Sequence, residues 1–222
     1  MSFTPQVYSL NFCFNSNREQ LEFSNQVILP PEILANNDVN LDHNPLFFTF
    51  KNNDVKINVG VYEFTDIPDI CYIPYYLMLL LNIKEGERIS ISNLNNIPKG
   101  TELTLKPHEE KFIQLSDPRS ILEKHLSINY PILSINDVVR IKYLDEIYSL
   151  SVTNLKPGNT VQLINCNINL LFDQAYDHKL LPKKELLPQP EKRDVIHNSR
   201  KRKPFSKNFV PFQGKGYRLG DS

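Results

Sequence analysis

The residue types most able to do chemistry gather near the C-terminal end of the chain. In "SRKRKPF", Arg200, Lys201, Arg202 and Lys203 are four consecutive cations. A run of this kind contacts nucleic-acid phosphates or serves as a nuclear import signal. In "FVPFQGKGYRLG" (209–220), Phe209, Phe212 and Leu219 stand among Gly214, Gly216 and Gly220, three of the protein's seven glycines. The stretch is too short and too glycine-rich to form a core, so its aromatic side chains need a cover. Peptide capture on a sheet edge is the chemistry that fits. Phe209 or Phe212 would fill one apolar pocket and Leu219 a second, while Gly214 and Gly216 let the backbones approach or take positive φ. Lys215 and Arg218 would add charge complementarity. Composition leaves open whether the cover is a partner or the chain's own body.

Elsewhere the sequence offers no catalytic constellation. A glycine-rich phosphate loop has no material, since only four glycines precede residue 209. The histidines, His43, His108, His125, His178 and His197, lack metal-ligand spacing. His125 falls beside Ile121 and Leu122 on an amphipathic stretch, where a packed or surface histidine is expected rather than a base. Glu109 with Glu110, and Asp145 with Glu146, lie in turn-like polar stretches and read as solvated loop carboxylates. No D-[TS]-G tripeptide of an aspartic protease occurs. A non-enzyme without cofactor or metal is expected.

The frame that must carry the tail is a body of opposite charge. From Asp177 onward there are 12 Lys/Arg against 5 Asp/Glu, a net of +7; the first 176 residues hold 13 against 20, a net of −7. Such asymmetry marks an acidic folded body with a solvated basic tail. The acidic body would repel phosphate, which leaves a basic-tailed nucleic-acid binder as the alternative reading rather than the leading one. Cys13, Cys71 and Cys166 are widely spaced and odd in number, so buried reduced thiols in a cytosolic protein are expected. The first charge is Arg18, so the basic n-region of a secretory signal is missing. The longest apolar run, "YIPYYLMLLLNI", is well short of the ~20 residues that span a bilayer.

Short apolar stretches with β-rich composition, "FSNQVILP", "PLFFTF", "INVGVYEF", "RISISNL" and "TELTLKP", predict strands separated by asparagine and proline turns. Pro31 and Pro74 predict two short helices, because proline suits a first turn, and Gly86 is placed where the second helix or its turn must stop. Many short strands suggest a small barrel rather than a parallel sheet. Beyond about residue 105 the pattern changes. "SDPRSILEKHLSIN" has a cap in Ser116 or Asp117 and sets Ile121, Leu122 and Leu126 on one face, which predicts an amphipathic helix. "DVVRIKY", "IYSLSVT" and "TVQLINC" predict a three-stranded antiparallel meander, the last strand following a turn in "KPGN". The expected organisation is a mainly β lobe over 6–105, a small α/β lobe over 106–176, a disordered basic linker over 177–208 and a docking peptide over 209–220.

The tail resembles the SHP box, essentially F-x-G-x-G-x-x-L, of adaptors for the hexameric AAA ATPase segregase (valosin-containing protein). Phe212, Gly214, Gly216 and Leu219 meet that pattern, with Phe209 at the upstream aromatic position. "VILPPEIL" (27–34), "PLFFTF" (45–50), "VGVYEFTDIPDICYIPYYLMLLLNIKEGERISI" (59–91) and "DVVRIKYLDEIYSLSVTNLKPGNTVQLINCNINLLFD" (137–173), in that order, resemble the N-terminal domain of the ubiquitin fusion degradation protein 1 family. The resemblance implies a double-psi β-barrel lobe followed by a smaller α/β lobe. It also implies a non-catalytic adaptor that binds ubiquitin, preferentially as chains, and recruits ubiquitinated clients to the segregase for unfolding or extraction before proteasomal degradation, including ER-associated degradation. Phe209, Phe212, Gly214, Gly216 and Leu219 are then the ATPase-binding residues. No short motif marks the ubiquitin contacts.

Family members continue past the SHP box with a segment for nuclear protein localization protein 4. The sequence here ends two residues after Gly220, so the expectation is that this segment is missing or relocated and the heterodimer is in question. The 32 residues between Tyr176 and Phe209 would span about 30 Å as a flexible coil, enough for the body to hold a client while the tail stays on the ATPase. A single short peptide that orders on binding binds weakly, so a second contact would be needed. The expected location is the cytosol, with the nucleus and the cytosolic face of the ER as further sites.

Overall fold

Short apolar segments between turn-forming residues dictate many short strands, and the structure, a computed structural model, places them in two lobes. It describes residues 2–13, 19–36 and 46–178; the docking peptide expected at 209–220, and all but the first two residues of the linker expected at 177–208, lie outside these. The first lobe contains β1 (Ser2–Phe3), β2 (Gln6–Ser9), β3 (Gln26–Leu29), α1 (Glu32–Asn36), β4 (Phe47–Asn52), β5 (Val55–Phe64), β6 (Ile70–Ile73), α2 (Tyr75–Leu81) and β7 (Ser90–Asn93). Seven strands form one sheet in the order β1-β7-β4-β5-β3-β6-β2, curled into a half-barrel. The sheet is mixed: β2 runs parallel to β6 and β3 parallel to β5. Val27, Leu29, Phe48, Phe50 and Ile73 fill its concave side together with Leu77, Met78 and Leu81 of α2.

Local chemistry sets the ends of α2. Pro74 precedes its first residue, and the Glu22 carboxylate accepts a hydrogen bond from the Tyr75 N–H at 3.0 Å. The helix stops at Asn82, which takes a left-handed φ of 48° and returns its N–H to Leu79. Gly86, at φ 78°, makes the following turn rather than ending the helix, and its N–H donates to Val7.

The second lobe contains β8 (Glu102–Pro107), α3 (Pro118–Asn129), β9 (Ile132–Ser134), β10 (Val138–Tyr143), β11 (Glu146–Lys156), β12 (Thr160–Gln162) and β13 (Asn169–Phe172). Asp117 caps α3, accepting from Ser120 N–H at 3.1 Å, with Pro118 in the first turn. The alternation in β10 and β11 buries Val139, Ile141, Tyr148, Leu150 and Val152 against Leu122 and Leu126 of α3. The expected three-stranded meander is corrected. β11 gives one edge to β10 and the other to β8, which leaves no place for a third meander strand. β12 therefore pairs with β9 in a separate two-stranded ribbon, and β13 joins β8 in parallel, giving the order β10-β11-β8-β13.

The lobes come closest where β5 passes the end of α3. A Cβ on Gly60 of β5 would stand 2.4 Å from Cγ of Pro131 after α3, so glycine is needed there for close approach. Asn25 bridges the lobes: its N–H donates to Asn129 and its carbonyl accepts from Gly60. Asn58 accepts from Thr49 Oγ1 at 2.7 Å and donates to Ser134 Oγ at 2.9 Å, which in turn lies 3.0 Å from Thr160 Oγ1. Of the three cysteines, Cys71 is buried, where desolvation pushes its thiol up; Cys13 and Cys166 are only half-buried, and none forms a disulfide.

Candidate protein-docking groove

A strand pair that ends in a two-residue loop needs positive φ at the turn, and Asn-Gly or Asp-Gly is the cheapest way to supply it. The β10–β11 hairpin does otherwise. Tyr143 pairs with Glu146, and the two residues between them, Leu144 and Asp145, have φ of 48° and 62°. Among the described residues, eight other than glycine have positive φ: five are asparagine, two are aspartate and the eighth is Leu144. Leucine has no side-chain polar group to offset the left-handed conformation, which costs it about 1–2 kcal/mol. It is also 77% exposed. A residue that is unfavourable both in backbone and in solvation points to a use outside the folded body.

Leu144 stands at one wall of a groove of about 510 Å³. Phe23, from the 3-10 segment Glu19–Phe23, and Ile121 and Ile128 of α3 supply the other apolar walls. Ile128 is 54% exposed, so the groove presents aliphatic side chains on both sides. Its rim is polar. Lys142 Nζ pairs with Glu19 Oε1, which holds the Glu19 carboxyl below its usual range through the hydrogen bond and the ammonium charge. Lys124 and Asp145 complete the rim.

Tyr130, directly after α3, ties down the outer edge of β10 beside the groove. The Tyr130 hydroxyl accepts from the Arg140 N–H at 2.7 Å and donates to the Arg140 carbonyl at 3.0 Å. The Nδ1 of His125 sits 3.2 Å from the Asn129 amide nitrogen. Burial holds the imidazole's proton affinity below the ordinary histidine value, ahead of the smaller effects of the Lys142 carbonyl and Lys124. The Asn129 contact requires a neutral His125, with Nδ1 accepting from the amide. The edge of β10 is thus closed to strand addition at Arg140.

The other sequence-selected groups come to different places. Asp145 lies in the hairpin turn, while Glu146 begins β11 and accepts from the Tyr148 hydroxyl at 3.0 Å. Glu109 precedes a 3-10 turn at Glu110–Phe112, and Glu110 pairs with His178 at 3.4 Å. Among the described residues no three His, Cys, Asp or Glu side chains form a group that could hold a metal ion. Nor is any helix there long and apolar enough to cross a membrane. Phe209, Phe212, Gly214, Gly216 and Leu219, like the cations at 200–203, lie outside the described residues. The groove was not anticipated from sequence, although its signal was present: "KYLDEI" puts leucine where a tight turn wants asparagine or glycine.

Comparison with known proteins places these two lobes. The family model described as "Ubiquitin fusion degradation protein UFD1, N-terminal subdomain 1" matches residues 2–97, and that of N-terminal subdomain 2 matches 99–175. A mouse protein named "Ubiquitin recognition factor in ER-associated degradation protein 1" is 31% identical over 189 residues, 79% of this chain and 61% of its own length. A Dictyostelium discoideum "Ubiquitin fusion degradation protein 1 homolog" is 33% identical over 165 residues, 73% of this chain and 49% of its own. The Caenorhabditis elegans homolog of the same name is 27% identical over 224 residues, covering 97% of this chain and 61% of its own. The chain thus spans about half to three-fifths of the length of these relatives.

Proposed function

Since the chain belongs to the ubiquitin fusion degradation protein 1 family, with both N-terminal subdomains matched, we propose that it is a non-catalytic adaptor for ubiquitinated proteins. In this reading the two-lobed body takes ubiquitin, and residues 209–220 dock on the hexameric AAA ATPase segregase, which unfolds or extracts the client for proteasomal degradation, including ER-associated degradation. Phe209, Phe212 and Leu219 enter apolar pockets of the ATPase, and Gly214 and Gly216 allow its backbone to close on the peptide. Nuclear protein localization protein 4 is a further candidate partner. The names of the relatives support ubiquitin recognition, and the SHP-box spacing supports the ATPase contact.

The observation that carries the choice of ubiquitin surface is Leu144, exposed and left-handed at the wall of an apolar groove. Aliphatic side chains there can cover an apolar patch on a folded partner without forming new strands, since the β10 edge is closed. A groove of this size gives one weak contact, so useful affinity comes from several ubiquitins and from the tethered ATPase acting together. The preference for chains over single ubiquitin follows from this.

One experiment separates the two contacts. Full-length protein is used to capture polyubiquitin and the ATPase from purified mixtures. Leu144→Asp is expected to lose polyubiquitin and keep the ATPase; Phe212→Ala with Leu219→Ala is expected to do the reverse. Retention of polyubiquitin by Leu144→Asp would remove the groove from the reading, and retention of the ATPase by the double variant would remove the docking peptide.

A further inference from the structure

A second cleft, of about 330 Å³, opens at the seam between the lobes, away from the Leu144 groove. Leu80 of α2 and Ile135 and Val138 beside the β9–β10 turn give it apolar walls, with Tyr76 and Tyr130 also lining it. Two acceptors set it apart. Asn25 is only 4% exposed. Its Nδ2 donates to the Ile132 carbonyl, its N–H to Asn129, and its carbonyl accepts from Gly60. Oδ1 alone is buried without a partner. Turning the amide end for end would set Oδ1 against the Ile132 oxygen, so the unmet acceptor is fixed where it stands. A buried acceptor without a donor costs about 1–3 kcal/mol, and Asn25 is among the residues that line this cleft.

The second acceptor is Asp137. One carboxylate oxygen takes the Ser134 N–H at 2.7 Å, and no ion pair neutralises its charge among the described residues. The cations nearby are committed or remote in effect. Lys56 of β5 lines the cleft but is exposed and forms no ion pair with Asp137. Arg140 of β10 lies over the Phe23 and Tyr76 rings, 5.6 and 5.1 Å from their centroids. The tyrosine hydroxyls are spent: Tyr76 donates to Ser24 at 2.8 Å and Tyr130 is bound to Arg140. Desolvation accordingly pushes the Asp137 carboxyl up to about 7. Neither acceptor is paired with a cation of the cleft, and its aliphatic walls suit a methylene stem.

We propose that this cleft binds the cationic side chain of a lysine or arginine presented by a partner protein, its head group donating to Asn25 Oδ1 and the Asp137 carboxylate and its stem lying along Leu80, Ile135 and Val138. The site is separate from the ubiquitin groove and stands or falls without it. Because the bound form needs the carboxylate ionised, binding strengthens as pH rises through about 7. Tyr76 and Tyr130, both raised by burial, do not titrate in that range.

Isotope-labelled full-length protein titrated with N-acetyl-arginine amide and N-acetyl-lysine amide tests this, with the citrulline and norleucine amides as neutral counterparts. The cationic probes are expected to shift the amide resonances of Asn25, Tyr76 and Asp137 saturably, and the better of the two identifies the head group. The neutral probes are expected to leave them in place. Asp137→Asn, which keeps an acceptor for Ser134, is expected to weaken binding about tenfold and to abolish its pH dependence. Equal shifts from the neutral probes would reduce the cleft to an apolar dimple and overturn the proposal. Silence of these resonances up to the solubility limit, as when a water is the only occupant, would overturn it too. Should Asp137→Asn fail to fold, the charged and neutral probes on the unaltered protein still decide.

Discussion

The seam between the lobes and the tip of the β10–β11 hairpin handle awkward residues in opposite ways. Where β5 crosses the seam the chain removes what does not fit: Gly60 gives up its side chain so that Pro131 can approach, and Asn58, Ser134 and Thr160 satisfy one another across the lobe boundary. At the hairpin tip the chain keeps a misfit. Leu144 is left-handed and exposed, although asparagine serves that purpose at five other positive-φ sites among the described residues. The seam reads as selection for rigid docking of two lobes. The hairpin reads as selection for a surface, and the two together make a stiff frame that presents one apolar tip.

The most severe way to break this contrast is to spoil the seam. Gly60→Ala places a methyl group within 2.4 Å of Pro131 Cγ, and neither backbone nor ring can yield freely. We expect a loss of about 3 kcal/mol, at the upper end for overpacking, read by chemical denaturation. A neutral result would mean that the lobes can slide.

That clash marks the limit of what the chain's order of residues discloses. The capped helix α3 was legible because Asp117, Pro118 and the spacing of Leu122 and Leu126 are local signals, and β10 and β11 were legible from strict alternation. The destination of β12 was not, because strand pairing depends on which edges remain free once β8 has taken β11. Gly60 looked like an ordinary strand glycine, since its constraint comes from a proline 71 residues further on. At 209–220, by contrast, glycine and aromatic residues at fixed spacing carry the resemblance to the SHP box by themselves.

A smaller effect concerns the turn at the seam. The Asp137 carboxyl titrates near 7 in the native protein and near 3.9 in the unfolded chain. Below both values it is protonated in either state and stability is intact. As pH rises from about 4 to 7 the unfolded chain ionises first, so native stability falls, then levels off above about 7. Asp137→Asn lacks this slope while keeping an acceptor for Ser134. It is expected to match the natural protein near pH 3 and exceed it by about 2 kcal/mol above pH 7, roughly half the full linkage value because the half-buried side chain still meets water. Parallel pH profiles that never diverge would show that the empty cleft is no burden on the carboxylate.

Next in size comes the hairpin tip itself. Leu144→Asn puts a residue tolerant of positive φ at φ 48° and is expected to stabilise the fold by about 1 kcal/mol. At the same time it should weaken ubiquitin binding about tenfold, since a well-covered aliphatic anchor contributes more than 1 kcal/mol. Denaturation and calorimetric titration on the same sample read both. Opposite signs for stability and binding sharpen the contrast between seam and tip; equal signs would make Leu144 a structural residue.

The smallest expected effect decides whether the groove works through its apolar walls or its charged rim. Glu19 and Lys142 form the ion pair at the rim, with Glu19 well exposed and Lys142 partly so. Exposed pairs of this kind are screened by salt and contribute little, so Glu19→Gln should leave the melting temperature unchanged within error. Ubiquitin binding should also survive, with only a faint dependence on ionic strength, because Phe23, Ile128 and Leu144 would carry the contact. If Glu19→Gln instead weakened binding as far as Leu144→Asn, and salt reproduced the loss, the partner would be held by charge. Leu144 would then be strained for some reason other than ubiquitin, and the tip would lose its special standing against the seam.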